Sequence, residues 1–300
     1  MNLTNRGRPP YLRFWQAIWR DWSARWGSIL VVSLILIAVL APLLAPGDPS
    51  ALGPVAESLQ PPGRDHLLGT DQLGRDVLVR LIHGSRVSLL VGWISVLAAV
   101  VCGSLVGLAA GLGPAWADRV LMSITDLFLA FPRIFLVLLL VSLTSPSLPL
   151  VMAVIGLTGW MSVARLVRAE TLGLKERDFV AAARGLGIHD ITLAGRHILP
   201  NVLPTIIVAA TLRVGNAILL ESVLSFLGLG AQEPTVTWGA MIDQGRKCLL
   251  EGWWLSTFPG LAIAVTVIGY NLLGDGLRGA LDPRSDGGGS GHDRYQSPRS

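Results

Sequence analysis

The fold is decided by an uncharged stretch, Val87 to Ala117, which reads VSLLVGWISVLAAVVCGSLVGLAAGLGPAWA. A bilayer core of roughly 30 Å requires about 20 apolar residues of helix, so this stretch is long enough to span a membrane. Gly103, Gly107 and Gly111 recur at four-residue spacing, which lets a neighbouring helix approach closely. The sequence therefore predicts a membrane helix that packs tightly against another helix.

The composition of the whole chain agrees with a membrane location. Of its 300 residues, 51% are hydrophobic and only 15% are charged, with a mean hydropathy of +0.57. Soluble proteins average about 25% charged residues, so too few polar side chains exist here to cover a water-exposed surface. The net charge of +4 is a poor argument for nucleic acid, and we expect the lipid bilayer as the surrounding medium. The two cysteines, Cys102 and Cys248, are too few for a disulfide framework or a four-ligand metal site.

Charge-free runs of sufficient length predict an all-α integral membrane protein with six transmembrane helices. The third and fourth spans share one long apolar stretch, which Pro146 and Pro149 divide. The third span must begin before Pro132, so that Asp126 and Arg133 fall at or just inside one membrane face. The predicted spans are Trp26–Gly47, Val87–Ala117, the helix around Ile134, Leu150–Leu166, Val202–Leu224 and Trp253–Leu273.

The basic residues predict the orientation of these spans, because Lys and Arg concentrate in cytoplasmic segments. The N-terminal segment, the segment with Arg119, the loop 165–201 and the C-terminal tail hold most of them. These segments share one side of a six-span chain, so both termini are predicted to be cytoplasmic. A cleaved signal peptide is the alternative for the first span, but its apolar run is too long and too far from the N-terminus.

The domain organisation follows from these spans. Trp15, Trp19, Trp22 and Trp26 fall on one helical face, as in a helix that lies in the membrane interface. The predicted segments are an interfacial segment 1–26, a peripheral first transmembrane helix 27–46, a periplasmic loop 47–86, a five-helix core 87–279 containing the cytoplasmic loop 165–201, and a disordered tail 280–300.

Motifs for catalysis are missing from the sequence. No Gly-x-Ser-x-Gly, His-Glu-x-x-His or Gly-Lys-Ser/Thr pattern occurs, which argues against an intramembrane hydrolase, a metalloenzyme and a nucleotide-binding loop. His189 and His197 share a loop, but no cluster of Cys or carboxylates surrounds them. We therefore expect a non-catalytic protein without a cofactor or a metal ion.

Charged groups inside a span are costly and usually face the bundle interior or a water-filled route. Arg213 and Glu221 lie in the fifth span, and Asn216 follows Arg213 by about one turn. Eight residues place Arg213 and Glu221 about 80° apart around the helix and roughly 12 Å apart along it, too far for a direct ion pair. These three residues are candidates for a translocation path or, equally, for polar contacts between helices.

The loop 165–201 is too long for a tight turn and must form a structure outside the membrane. Residues 175–186 have helix-forming composition, with Asp178 early and Arg184 late, and Gly187 stands where a left-handed residue would end the helix. A second short segment follows at Ile191–Leu199 and ends at Pro200. Together they predict a compact helical projection whose small side chains would fit a groove on a soluble partner.

At this loop the sequence resembles the permease subunits of binding-protein-dependent ABC importers. Their signature is Glu-Ala-Ala, three residues, Gly, nine residues and Ile-x-Leu-Pro. The matching positions here are Ala181, Ala182, Ala183, Gly187, Leu199 and Pro200. Two positions depart from the signature: Ala181 replaces the usual Glu, and His197 replaces the usual Ile.

Further stretches resemble the second permease of the dipeptide, oligopeptide and nickel group of that family. They are His66–Asp76, Leu224–Gly230, Trp238–Met241 and Asn271–Arg278 followed by Asp282-Pro283. The resemblance implies a type I, MetI-like permease core in the bacterial inner membrane, and a peptide as the cargo. Nickel or a metal chelate is the alternative cargo. A self-sufficient secondary transporter or channel, with Asp126, Arg213 and Glu221 as a relay, is the alternative of another class.

The resemblance also implies partners. They are a second permease subunit, two ATP-binding subunits and a periplasmic or lipid-anchored substrate-binding protein. The segment Asp178–Gly187 would then dock on an ATPase. The segment containing Asp71, Arg75 and Asp76 would either contact the binding protein or satisfy its own charges by internal pairing.

Overall fold

The computed structural model describes residues 21–143 and 145–281, so Trp15, Trp19 and the tail beyond Leu281 lie outside the described residues, as does the side chain of Arg184. The regular structure of the described residues is helical, with loops between the helices and one isolated bridge between Thr70 and Asp76. The helices are α1 (Trp22–Val39), α2 (Ala41–Leu44), α3 (Val77–Leu112), α4 (Ala115–Ala130), α5 (Arg133–Ser142), α6 (Leu148–Leu157), α7 (Trp160–Lys175), α8 (Asp178–Gly185), α9 (Asp190–Leu193), α10 (Leu199–Phe226), α11 (Trp238–Arg246) and α12 (Trp254–Leu281).

Within the described residues, five helical stretches are long and apolar enough to cross a membrane, and a bent helix pair makes a sixth. The five are Trp22–Val39, Val77–Leu112, Leu148–Lys175, Asp190–Phe226 and Trp254–Ala280, and the bent pair is α4 with α5. This agrees with the predicted six-helix class.

Helix α3 begins ten residues before the predicted second span. Asp76 caps it, because its Oδ1 accepts hydrogen bonds from Leu78 N at 2.8 Å and Val79 N at 3.1 Å. The helix has 36 residues, or about 54 Å at 1.5 Å per residue, far more than a lipid core of roughly 30 Å. A search for charge-free runs finds only the part that lies in lipid, so the charged first turns of α3 were missed.

Two of the predicted spans are broken rather than continuous. The third bends by 84° between α4 and α5, at Phe131-Pro132. The fourth is interrupted at Thr158-Gly159 between α6 and α7, and it continues to Lys175, well beyond its predicted end. The polar segment outside the bundle is therefore residues 176–198, shorter than the predicted loop.

The glycines of α3 form the predicted close contact, and the partner is α7. A Cβ at Gly103 would lie 2.5 Å from Val163 Cβ, and a Cβ at Gly107 would lie 2.6 Å from Ala164 O. Such distances leave no room for a side chain, so the two helices touch along their backbones. The predicted tight packing is confirmed.

The remaining helices pack around α3. Helix α1 lies against α12, where a Cβ at Gly276 would be 2.3 Å from Ala24 Cα. The short helix α11 is held by Trp238, which is 2% exposed and whose Nε1 donates to Leu81 O at 3.0 Å. Two ends of this bundle concern the function: the Gly187 end, which carries residues 176–198, and the Asp71 end, which carries residues 45–76 and 227–253.

Candidate functional site

The projection at the Gly187 end is built on α8. Its inner face buries Val180 and Ala183 in a hydrophobic cluster with α7 and α10, whereas Ala181 and Ala182 are exposed. Asp178 and Phe179 are exposed on the same outer surface. Of the three predicted alanines, two are therefore available to a partner, and Ala183 instead attaches the projection to the bundle.

Gly187 ends helix α8 of this projection, as the sequence predicts. Its φ of +78° is left-handed, and the flanking backbone closes over the end of α8. Leu186 N donates to Ala182 O at 3.1 Å, and Ile188 N donates to Ala183 O at 3.2 Å. An open cavity of about 630 Å³ lies beside it, lined by Pro114, Lys175, Gly187 and His189 among others.

The second predicted segment of the loop merges with the next membrane helix. Helix α9 is followed by a π-helical turn, Ala194–Ile198, which runs directly into α10. Leu199 packs against the hydrophobic cluster, while Pro200 is exposed. Helix α9 is therefore continuous with α10, whereas α8 is attached to α10 by the buried side chains of Val180 and Ala183.

A polar surface runs along the spanning helices α4, α7 and α10. Asp126 and Arg165 form an ion pair at 2.5 Å, although their side chains are 57% and 53% exposed. Ser162 and Asn216 are exposed on the same helices. Polar groups at membrane depth avoid lipid and face water or other protein. We call the surface of Asp126, Ser162, Arg165, Arg213 and Asn216 the polar face.

Arg213 lies near the middle of α10 and donates to the break in the fourth span. Its Nη1 donates to Gly159 O at 3.3 Å, and its Nη2 donates to Ser162 Oγ at 2.5 Å. Arg133, which the sequence places at or just inside a membrane face, reaches the same break from α5. Its Nη2 donates to Ile155 O at 2.9 Å.

Glu221 is enclosed in helix packing and does not pair with Arg213. It is fully buried, and its Oε1 accepts hydrogen bonds from Ser225 Oγ at 2.7 Å and Thr237 Oγ1 at 3.0 Å. Thr237 also caps α11 by accepting from Ala240 N at 3.1 Å. Arg213 and Glu221 therefore have separate hydrogen-bond partners, as their spacing along the helix predicts. Glu221 joins α11 to α10.

A buried charge network holds the Asp71 end together. Asp71 and Arg75 are 4% and 8% exposed, and Arg75 Nε donates to Asp71 Oδ2 at 2.6 Å. Arg80 donates to the same carboxylate, and Arg75 Nη1 lies 3.2 Å from Glu233 Oε1. The segment before α3 is thereby joined to the segment before α11.

Asp76 lies outside this network. Its Oδ2 lies 2.8 Å from His66 Nδ1, and the Nε2 of His66 lies 3.5 Å from Glu57 Oε2. The hydrogen bond to Asp76 raises the pKa of His66, although partial burial opposes this; the negative charges of Asp76 and Glu57 raise it further. The sequence alternative that all three residues pair with one another thus holds for Asp71 and Arg75, but not for Asp76.

The sequence reasoning missed several residues of these sites. They include Arg80, Glu233, Gln244 and Thr237. Arg80 and Arg75 lie far along the chain from Gln244 and Glu233, and Thr237 lies 16 residues from Glu221, so only the fold brings these partners together. The exposure of Ser162 was likewise not visible, although its position one turn before an arginine on an apolar helix was a signal. In residues 21–143 and 145–281, no group of three or more His, Cys, Asp or Glu side chains could hold a metal ion.

These features define a class: a multi-pass helical membrane protein with an exposed polar face along its spanning helices and a helical projection at one end. The family described as "Binding-protein-dependent transport system inner membrane component" matches residues 103–287, and "N-terminal TM domain of oligopeptide transport permease C" matches residues 10–62. The chain belongs to the first of these families and is a membrane permease subunit of this transport class.

Several curated proteins are similar along most of their length. The dipeptide transport system permease protein DppC of Alkalihalophilus pseudofirmus is 42% identical over 86% of this chain and 84% of its own. The glutathione transport system permease protein GsiD of Pectobacterium atrosepticum is 40% identical over 92% of each chain. The probable D,D-dipeptide transport system permease protein DdpC of Escherichia coli K12 is 40% identical over 87% of each chain.

The fold is also that of a solved transporter. A chain of the MetNI methionine ABC transporter in an inward-facing conformation matches with a TM-score of 0.56, at 19% identity. The match covers 68% of this chain and 97% of that chain. The predicted MetI-like fold is confirmed.

Proposed function

We propose that this chain is a non-catalytic permease subunit of an ABC importer for short peptides, and that the projection at the Gly187 end couples it to an ATPase. The observation that carries this proposal is the outer surface of α8, where the exposed Ala181 and Ala182 allow close approach of a partner. Because α8 packs against α10 and α9 continues into it, a push from an ATPase would reach the polar face. The relatives named for dipeptides, D,D-dipeptides and glutathione support a peptide cargo.

The partners of this subunit are a second permease, two ATP-binding subunits and a substrate-binding protein. Both termini and the projection lie on the cytoplasmic side, where the basic residues concentrate. The polar face, with Arg213 and Asn216, meets the second permease and lines the path between them. Closure of the ATPases on ATP would rock the helices as rigid bodies and open the path outward.

At the Asp71 end, exposed residues next to the charge network make the contact with the binding protein. Asp71 and Arg75 are occupied with one another, whereas Gln72 and Leu73 between them are exposed, and the side chain of Glu233 is 59% exposed. The role of Asp71 and Arg75 is to hold this loop in shape for the encounter. Asp76 contributes by capping α3.

ATP-dependent uptake in vesicles tests this function. Vesicles that contain this chain together with its second permease and ATPases should accumulate a labelled dipeptide only when the binding protein and ATP are both supplied. Vesicles with this chain alone should accumulate none. Uptake by the chain alone under an ion gradient would instead establish the secondary-transporter alternative and contradict the proposal.

A further inference from the structure

Three points of the helical bundle, two of them breaks in a span, meet near the middle of the spans. They are the bend before α5, the break at Thr158-Gly159 and the centre of α10. Arg133 comes from the first point and Arg213 from the third, and both approach Gly159: a Cβ there would lie 3.3 Å from Arg133 Nη2, and its carbonyl accepts from Arg213. We call Arg133 and Arg213 the arginine pair.

The hydrogen-bond partners of the arginine pair among the described residues are neutral. Arg133 donates to Ile155 O and, at 3.5 Å, to Thr158 Oγ1, and Arg213 donates to Gly159 O and Ser162 Oγ. In the part of the chain that the structure describes, neither guanidinium is in an ion pair with a carboxylate. The two guanidinium groups instead lie close enough to repel each other electrostatically.

This arrangement is more costly than the capping of a broken helix requires. A neutral amide or hydroxyl could donate to the same carbonyl oxygens without bringing two full charges to membrane depth. Each guanidinium also has five N–H donors, more than its partners here use. Helices α5 and α7 both begin at this point, and their N-termini add partial positive charge. Helix α6 ends here, and its last carbonyl oxygens, such as Ile155 O, supply only partial negative charge to the two guanidinium groups.

We propose that the arginine pair binds a carboxylate group of the cargo, such as the terminal carboxylate of a peptide, as it passes along the polar face. This inference rests on the proposed function. A guanidinium offers the forked donors that match a carboxylate. The Asp126–Arg165 pair on the same face is already neutralised internally, so the unmatched positive charge is confined to the arginine pair.

A thiol placed at Ser162 reports the charge at this site, because Ser162 is exposed and bonded to Arg213. The experiment uses the assembled transporter in nanodiscs with the Ser162→Cys substitution. The rate of thiol modification by an anionic and by a cationic methanethiosulfonate is followed by mass spectrometry of the peptide containing residue 162. The anionic-to-cationic rate ratio should fall by about tenfold when Arg133→Gln and Arg213→Gln are added, since two positive charges near the thiol are removed.

Protection of the thiol from modification by an added dipeptide then distinguishes binding of a carboxylate from a general electrostatic attraction of anions. An N-acetyl dipeptide with a free carboxylate, at millimolar concentration, should slow the modification, and the same dipeptide as its amide should not. The arginine-pair double variant should lose this difference. The Asp126→Asn/Arg165→Gln double variant, which removes a compensated pair from the same face, should keep it.

Equal protection by acid and amide would overturn the inference, as would a rate ratio that the arginine substitutions leave unchanged. A high ratio in the isolated chain that disappears on assembly would mean that the second permease supplies the carboxylate, which also overturns it. ATP-dependent uptake by the unsubstituted transporter is measured in parallel. If uptake is observed but the thiol experiments fail, this inference is wrong and the proposed function stands; if uptake is absent, the proposed function itself is wrong.

Discussion

Gly187 is one of three described glycines, with Gly47 and Gly228, at which the backbone conformation alone decides which side chain is tolerated. A side chain there would meet nothing within 4 Å, so no clash opposes it, but its φ is +78°. We expect Gly187→Val to favour another loop conformation by roughly 1–2 kcal/mol, about a tenfold change in population. The ATPase activity of the assembled transporter should then continue while peptide uptake falls.

The matched control for this substitution is Gly185→Val. Gly185 also has open space around it, but its φ is not left-handed. Uptake should therefore stay near that of the unsubstituted protein. If both variants transport alike, the conformation of Gly187 has no part in coupling.

His66 makes the Asp71 end sensitive to pH. Its pKa is raised in the folded protein, mainly by the hydrogen bond to Asp76, so the protonated form is stabilised by folding. The stabilisation is fully present below the ordinary pKa of about 6.5 and is lost as pH rises through the higher folded value. The melting temperature should fall over that window in the unsubstituted protein and not in His66→Gln. The His189→Gln variant, changed at an exposed histidine of the Gly187 end, should keep the pH dependence of the melting temperature. If the melting temperature of His66→Gln still fell with rising pH, the assignment of the effect to His66 would be wrong.

Local patterns predicted those residue properties that depend on neighbours in the sequence. The left-handed Gly187 followed from a helix-forming run that ends in glycine, and the mutual distance of Arg213 and Glu221 followed from helical spacing. The burial of Ala183 and the convergence of Arg133 on Gly159 depend on contacts across the bundle. No spacing rule within one helix reveals them.

Among the elements, α3 and α7 are in contact along their backbones and leave no room for a side chain at the glycines between them. Gly107→Ala would place a Cβ 2.6 Å from Ala164 O, a backbone atom that cannot move aside. We expect this substitution to separate the helices and lower the melting temperature of the assembled protein. Gly173→Ala, on α7 but with nothing within 4 Å, should leave the melting temperature unchanged or raise it slightly. Equal behaviour of the two variants would show that the contact contributes no stability.

Element boundaries were predictable where hydrophobicity and proline mark them. The apolar cores of the spans were found, while the charged first turns of α3 and the extension of α7 to Lys175 were not. Both lie beyond the length that lipid requires, so hydropathy contains no signal for them. The break at Thr158-Gly159 lies inside an uncharged run, where composition alone does not distinguish a bent helix from a straight one.

In the molecule as a whole, the polar face and the projection are connected by the same helix, α10. The polar face runs between the Gly187 end and the Asp71 end, and the projection continues into the helix that holds Arg213. An ATP-driven movement applied to the projection would therefore act on the polar face directly. That the projection docks on an ATP-binding subunit, and so connects it to α10, is the central claim of the account.

Cross-linking in intact cells tests that claim most directly. A benzophenone attached through the Ala182→Cys thiol, in a Cys102→Ser/Cys248→Ser background, should capture an ATP-binding subunit. The same probe at Gln72→Cys, exposed at the opposite end, should not. Capture of the ATP-binding subunit from Ala182→Cys and not from Gln72→Cys is the predicted result; no capture from Ala182→Cys in transport-competent cells would contradict the account.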